Sequence, residues 1–241
     1  MADDITTDSL YNGRLLIKQY KTGYRFSIDS VLLAGFVHPC KGHKIVDLGT
    51  GCGIIPLLLA FRCPELKIYG IEIQEQLSKL ADLNVKQNNM SGQISILSVD
   101  MKALKLDMIS GHADLVVSNP PYHKAASGRI NPNKQRAVAR HEIKASLKDV
   151  IETANRMLNI SGKFFAIYPA ERMVDILTTM RMCDIEPKYI RMVHSKCREE
   201  ATLMLVQGIK GGHPGTKTGP PLIIYQNNGL YTDEINELYN V

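Results

Sequence analysis

Asn119-Pro120-Pro121-Tyr122 puts a side-chain amide, two residues without a backbone N–H and an aromatic ring directly after the apolar run Ala113-Asp114-Leu115-Val116-Val117-Ser118. These residue types suit chemistry on a planar amino group. The lone pair of an exocyclic amine is delocalised into its ring, which makes the nitrogen a poor nucleophile. Two acceptors aimed at its hydrogens draw the nitrogen toward a tetrahedral shape and stabilise the positive charge that develops as it is alkylated. Asn119 offers a side-chain carbonyl and Pro120 a backbone carbonyl. Both prolines have a fixed φ, so such a clamp is stiff. Tyr122 can stack on a flat substrate, which requires an accessible or flipped base. Taken alone, the same four residues could also be a turn that ends a strand, with Tyr122 packed in the core.

A second motif precedes the first. Asp47-Leu48-Gly49-Thr50-Gly51-Cys52-Gly53 is a G-x-G-x-G turn, not the G-x-G-x-x-G of a dinucleotide fold. Its glycines let the backbone approach a ligand closely. A pyrophosphate needs room and helix N–H groups, whereas a ligand with an amino-acid tail and no phosphate suits the tighter loop. S-adenosyl-L-methionine (AdoMet) is such a ligand. Glu72 ends the next apolar run, 19 residues after Gly53, a spacing at which a carboxylate can accept both ribose hydroxyls. Asp100 ends the run after that and can accept from an adenine amino group, while Ile73 can cover one face of the ring. The competing reading is a loop shaped only for turning, with both acids as solvated strand ends. Two acids at successive strand ends, followed by the amide-proline motif, favour methyl transfer onto nitrogen. The sulfonium is already activated, so no strong general base is required and the remaining work is in-line positioning.

Elements that could hold these motifs alternate along the chain. The pattern predicts strands at 44–48, 66–71, 93–99, 113–118 and 163–168, and helices at 54–61, 74–88, 147–158 and 170–182. Leu77, Leu80, Ala81 and Asn84 are spaced to form one inward helix face, with Leu83 beside it. The runs 189–194 and 201–209 have no helix between them and read as an antiparallel pair closing a mostly parallel sheet. The expected fold class is therefore α/β, a doubly wound Rossmann-like sheet with a reversed final hairpin and its site at the carboxyl ends of the strands. Residues 208–221 read as a flexible loop, and residues 1–20 carry little signal. We expect residues 1–40 to form a lead-in packing on the cofactor site and 41–241 to form the catalytic domain.

Composition excludes several classes. With 241 residues, 44% hydrophobic and 22% charged, the chain has the size and balance of a soluble α/β protein. It has no apolar run of about 18 residues to cross a bilayer. Its start, Met1-Ala2-Asp3-Asp4-Ile5, is not that of a signal peptide, so a cytoplasmic protein is expected. Five cysteines without a C-x-x-C argue against disulfides, and His194 with Cys197 lacks a second ligand pair, so no metal is expected. Residues 123–148 carry seven basic side chains against Glu142, a net of +6, whereas the whole chain is +5 and the remainder therefore −1. Basic charge concentrated beside the proposed amino clamp points to a polyanion.

The order VDLGTGCG, Glu72, Asp100, NPPY resembles class I AdoMet-dependent methyltransferases, and NPPY is similar to the motif of enzymes acting on adenine N6, cytosine N4 or glutamine amides. The resemblance implies a seven-stranded sheet with Asp47, Gly49, Gly51, Gly53, Glu72, Ile73, Asp100 and Asn119 at the cofactor. The stretch from Lys21 to Ala34, Ala139-Arg140-His141-Glu142, and the Pro220–Tyr225 stretch resemble the bacterial tRNA1(Val) adenine-N6 methyltransferases. Those act on the adenine 3′ of the anticodon, position 37. The likeness runs from about residue 15 to 240 and implies that Arg25 and Asp29 help close the AdoMet pocket. Glutamine methyltransferases of release factors carry an N-terminal helical domain for which the roughly 40 residues before the first strand are too few. Ribosomal RNA guanine-N2 methyltransferases have a related N-P-P motif, but Tyr122 at its fourth position favours adenine. The expected partner is tRNA, met by a monomer or weak dimer, with Lys124, Arg129, Lys134, Arg136 and Arg140 tracking phosphates. Reversing the charge of Arg129 and Arg136 together should weaken RNA binding and lower the slope of log affinity against log salt by at least about 1.4, which titrations at several ionic strengths would measure.

Overall fold

In the computed structural model, which describes residues 5–21, 25–120 and 145–239, the chain opens with an antiparallel hairpin. It is made of β1 (Ile5–Leu10) and β2 (Leu15–Tyr20), and α1 (Ile28–Phe36) follows. Alternating units come next: β3 (Lys44–Leu48), α2 (Ile54–Arg62), β4 (Lys67–Glu72), α3 (Glu75–Gln87), β5 (Ile94–Ser98) and β6 (Ala113–Ser118). Beyond residue 144 come α4 (Leu147–Met157), β7 (Leu158–Pro169), α5 (Met173–Met182), β8 (Ile185–His194) and β9 (Ala201–Lys210). Two short strands, β10 (Lys217–Thr218) and β11 (Leu222–Ile223), and α6 (Asp233–Tyr239) complete the described chain.

The main sheet runs β10-β8-β9-β7-β6-β3-β4-β5, with β11 also on β8. Its long strands are the seven from β3 to β9, and β9 alone is reversed, antiparallel to both β7 and β8. Side chains alternate between two apolar layers. Ile45, Ile68, Leu115, Val117, Phe165 and Ile167 face the layer of α1 and α2. Val46, Leu48, Ile71, Val116, Phe164 and Tyr168 face the layer of α4 and α5. A parallel sheet covered on both faces needs such continuous apolar strands.

Several expectations are corrected in detail. Residues 5–20 form a hairpin whose β2 buries Leu15 and Ile17 completely; period-two patterning over so short a run was too weak to reveal it. Residues 217–218 and 222–223 pair with β8 inside what reads as a loop, because Gly and Pro mark the bends without forbidding short edge pairing. The helix read at 147–158 ends at Met157, and β7 begins five residues before the predicted Lys163. The helix read at 170–182 starts with a 3₁₀ turn, Ala170–Arg172.

Two asparagines on α3 dock the hairpin. Asn84, fully buried, accepts from the Lys18 N–H at 2.8 Å and donates to the Lys18 and Cys52 carbonyls, each at 2.9 Å. Asn88, one turn on, accepts from the Leu16 N–H at 2.9 Å and donates to its carbonyl at 2.7 Å. The edge of β2 is thereby satisfied by side chains, and Asn84 joins it to the glycine turn. Asn84→Ala leaves buried backbone groups unpaired and should cost about 3 kcal/mol. Urea unfolding should show a lower midpoint with an unchanged m value; a loss below about 1 kcal/mol would mean that water replaces these bonds.

Candidate active site

Strand pairing brings the predicted residues to one end of the sheet. Leu48 lies opposite both Ile71 and Ser118, and Glu72 lies opposite Ser98. The chain therefore leaves four neighbouring strands at one end of the sheet, with Asn119, Gly49 and Glu72 level and Asp100 two residues beyond Ser98, in that spatial order. Neighbouring strands are about 4.8 Å apart, so the row spans about 15 Å. The order of strands reverses at β3, which has β4 on one side and β6 on the other. Ligand crevices of open α/β sheets form at such a switch point.

The glycine turn is held to β4. The Gly49 and Thr50 N–H groups both donate to the Ile71 carbonyl at 3.0 Å. Gly49 has φ +80°, a conformation that favours glycine, and a Cβ there would meet nothing within 4 Å. Gly53, at φ +85°, caps α2 so close to α3 that a Cβ would lie 3.3 Å from that of Ala81. The Gly51 N–H donates to Glu72 Oε2 at 3.0 Å and the Gln74 N–H to Oε1 at 2.8 Å, which fixes the carboxylate beside the turn. Burial raises the Glu72 pKa, opposed by these backbone donors and that of Ile73.

Asp47 is fully buried, and neither of its oxygens has a hydrogen-bond partner among the described residues. Burial pushes its carboxyl up to about 7; the neighbouring Thr50 hydroxyl opposes the shift and the Glu72 charge adds to it. A buried carboxyl without partners is costly unless a donor or cation meets it. Burial also drives the Cys52 thiol up to about 12, with the charges of Asp47 and Asp8 adding to the effect. Cys52 is 1% exposed and packs in the core.

Asp100 caps a 3₁₀ turn by accepting from the Lys102 N–H at 2.9 Å and remains partly exposed, as does Ile73. Arg25 is held by the hairpin, donating to Thr6 Oγ1 at 2.9 Å and to Asp8 Oδ2 at 3.2 Å. Gln19, buried, donates to the same Asp8 carboxylate and accepts from the Phe26 N–H at 3.1 Å. Asp29 stands in the first turn of α1, its pKa raised by burial against the Ser27 hydroxyl and its own N–H.

Asn119 and the buried Pro120 follow β6 directly. The Ser118 hydroxyl donates to the Leu48 carbonyl at 2.8 Å, tying the end of β6 to the start of the glycine turn. Asn119 Nδ2 donates to the buried hydroxyl of Ser30, on α1, at 3.2 Å. Pro121, Tyr122, Lys124, Arg129, Lys134, Arg136 and Arg140 lie outside the described residues. Among the described residues no group of three or more His, Cys, Asp or Glu could hold a metal, and no helix is long and apolar enough to cross a membrane. Ser30, Gln19, Asp8 and Asn84 were not foreseen as site residues. A polar residue within the apolar run of α1 was the available signal for Ser30.

A mostly parallel sheet with one reversed strand, a glycine turn after β3 and acids ending β4 and β5 define a class I methyltransferase fold. A predicted O-methyltransferase from Agrobacterium tumefaciens has it too, with a TM-score of 0.71 at 21% identity over 88% of this chain and 95% of that one. So does a geranyl diphosphate methyltransferase solved with SAM, with a TM-score of 0.54 at 11% identity over 75% and 84%. The chain belongs to the methyltransferase small domain family, whose model matches residues 25–182. Within it, the chain is 30% identical to the tRNA1(Val) (adenine(37)-N6)-methyltransferase of Pedobacter heparinus over 217 residues, 90% of each protein. It is 34% identical to that of Porphyromonas gingivalis over 176 residues, 70% of this chain and 68% of the relative.

The raised pKa of Asp47 sets a sign for stability. The folded protein holds this proton more tightly than the unfolded chain, so the group's contribution is present below about pH 4 and is lost as pH rises through about 7. Asp47→Asn should remove up to about 4 kcal/mol of that decline in the ligand-free protein, leaving a smaller slope of the same sign from Glu72. Urea unfolding at pH 5 and pH 7.5, between which about 2.5 kcal/mol of the decline falls, measures the difference, and equal slopes in both proteins would place the Asp47 pKa near its ordinary value.

Proposed function

We propose that this chain transfers a methyl group from AdoMet to N6 of an adenine in tRNA, the adenine at position 37 of tRNA1(Val). The alignment of Asn119, Gly49, Glu72 and Asp100 at one sheet end carries the chemical part of this reading. The activity of the tRNA1(Val) (adenine(37)-N6)-methyltransferases that the chain resembles, one of them over nine-tenths of its length, supports the choice of substrate. The residues present fit the cofactor. The Asp47 carboxyl, which meets no partner among the described residues, suits its ammonium; Gly49 and Gly51, both at positive φ, allow close backbone approach; Glu72 can accept from the ribose hydroxyls, and Asp100 and Ile73 suit the adenine. Arg25 and Asp29 would close the pocket from the N-terminal side. We infer that residues 1–40 serve as this cover for a single catalytic domain at 41–241, acting in the cytoplasm as a monomer or weak dimer.

Bound AdoMet supplies a methyl carbon already activated by the sulfonium. The protein's task is to present the nucleophile. Asn119 Oδ1 and the Pro120 carbonyl accept the two amino hydrogens of adenine, which concentrates the lone pair on nitrogen and stabilises the charge that grows there. Pro121 has a fixed φ that would stiffen the clamp, and Tyr122 would stack on the extruded base. With AdoMet bound, these residues would hold the adenine nitrogen toward its methyl group, and the surplus proton left on nitrogen after transfer would pass to water. A base in an anticodon loop is already partly unpaired, so extruding it costs less than from a duplex. Lys124, Arg129, Lys134, Arg136 and Arg140 would hold the backbone on either side.

Tritium transfer from labelled AdoMet into tRNA lacking the modification, followed by nucleoside mass spectrometry, tests this reading. N6-methyladenosine should form, and Asn119→Ala should slow it by about 10² to 10³-fold. Label in release factor, in guanine N2, or in neither RNA nor protein would overturn it.

A further inference from the structure

Asn119 can act as an acceptor only if its amide is turned the right way. The two ends of that side chain are nearly equal in shape, but one accepts hydrogen bonds and the other donates them. Turned over, the amide would aim N–H groups at the amino hydrogens of the substrate and repel them. What fixes the direction therefore matters as much as the amide itself.

We propose that Ser30 is a positioning residue for methyl transfer: its buried hydroxyl receives Asn119 Nδ2 and thereby directs Oδ1 to the substrate amino group. This rests on the reading of Asn119 as the amino clamp. Ser30 sits in the first turn of α1, after Ser27 at the N-cap, and is only 1% exposed. Its backbone is fixed by an N–H bond to the Ser27 carbonyl at 3.2 Å. It is separated from Asn119 by 89 positions in sequence, yet Nδ2 reaches its hydroxyl oxygen at 3.2 Å. The neighbours Val31, Leu32 and Leu33 are all buried, so α1 cannot roll to withdraw the hydroxyl. On the other side, Ser118 anchors the end of β6 through the Leu48 carbonyl. Both the backbone and the amide of Asn119 are thus set by serine hydroxyls, one accepting and one donating. A hydroxyl is the economical choice for Ser30, because its oxygen accepts Nδ2 while its own hydrogen remains available to a helix carbonyl.

The test compares Ser30→Ala with wild type and Asn119→Ala in steady-state methylation of tRNA, with thermal melting as a check on folding. Ser30→Ala should lower kcat at least about tenfold, with KM for tRNA and for AdoMet within about twofold of wild type, the pattern of an interaction lost mainly in the transition state. In an Asn119→Asp background both side-chain oxygens accept, direction no longer matters, and adding Ser30→Ala should cost less than about twofold. Wild-type kcat in Ser30→Ala beside an inactive Asn119→Ala overturns the proposal and leaves the clamp standing. A loss confined to KM, or the same loss in both backgrounds, also overturns it by assigning Ser30 to packing. Full turnover by Asn119→Ala removes the clamp itself, and the proposal with it.

Discussion

A two-residue slip between β3 and β6 would carry Asn119 about 6.6 Å along the sheet from the glycine turn. The register of these parallel pairs is therefore the constraint on which everything else rests. It is over-determined. Each strand buries side chains on both faces, so a one-residue slip would exchange the contents of the two apolar layers. At its functional end the register is also held by specific bonds, from Gly49 and Thr50 to Ile71 and from Ser118 to Leu48. Packing of the middle of the sheet thus supplies the accuracy that the loops at its end require.

The same end of the sheet carries what the core excludes. Asp47 and Glu72 are buried carboxyls on adjacent strands, and the Glu72 charge adds to the cost of ionising Asp47. Glu72 is compensated by two backbone N–H groups, whereas Asp47 has no partner among the described residues. This inequality separates a group that is already organised from one that a ligand would complete. Burying an unpaired acid weakens the ligand-free protein, and a cationic ligand reverses that cost when it binds.

How far the sequence could be read follows from where the information was stored. Glycine spacing, acids at the ends of apolar runs and Asn119-Pro120 are local signals, and the strands and helices of residues 44–118 emerge close to their predicted bounds. Edge pairing is different. The β10 and β11 strands are two residues each and depend on β8 for their partners, so composition showed only bends. The β1–β2 hairpin also depends on remote groups, since Asn84 and Asn88 satisfy β2 from 66 and 72 positions away. Arg25 was read as a cofactor residue, and the structure adds its ties to Thr6 and Asp8 on β1. Ser30 illustrates the same limit: its type was visible, but its partner was set only when α1 packed on the sheet.

These long-range bonds give the first 40 residues a role that chain order alone hides. Asn84 connects β2 to the Cys52 carbonyl inside the glycine turn, and Ser30 reaches Asn119. The N-terminal segment is therefore tied to the glycine turn through Asn84 and to Asn119 through Ser30, and these two motifs follow neighbouring strands. A segment packed only for stability would need apolar contacts such as those of Leu15, Ile17, Val31 and Leu32, and it has them. The polar bonds are additional and more demanding, because each buried donor must find its acceptor in a fixed direction. Their concentration at the two functional motifs makes the accuracy of the site depend on the docking of the hairpin and α1 as well as on the sheet.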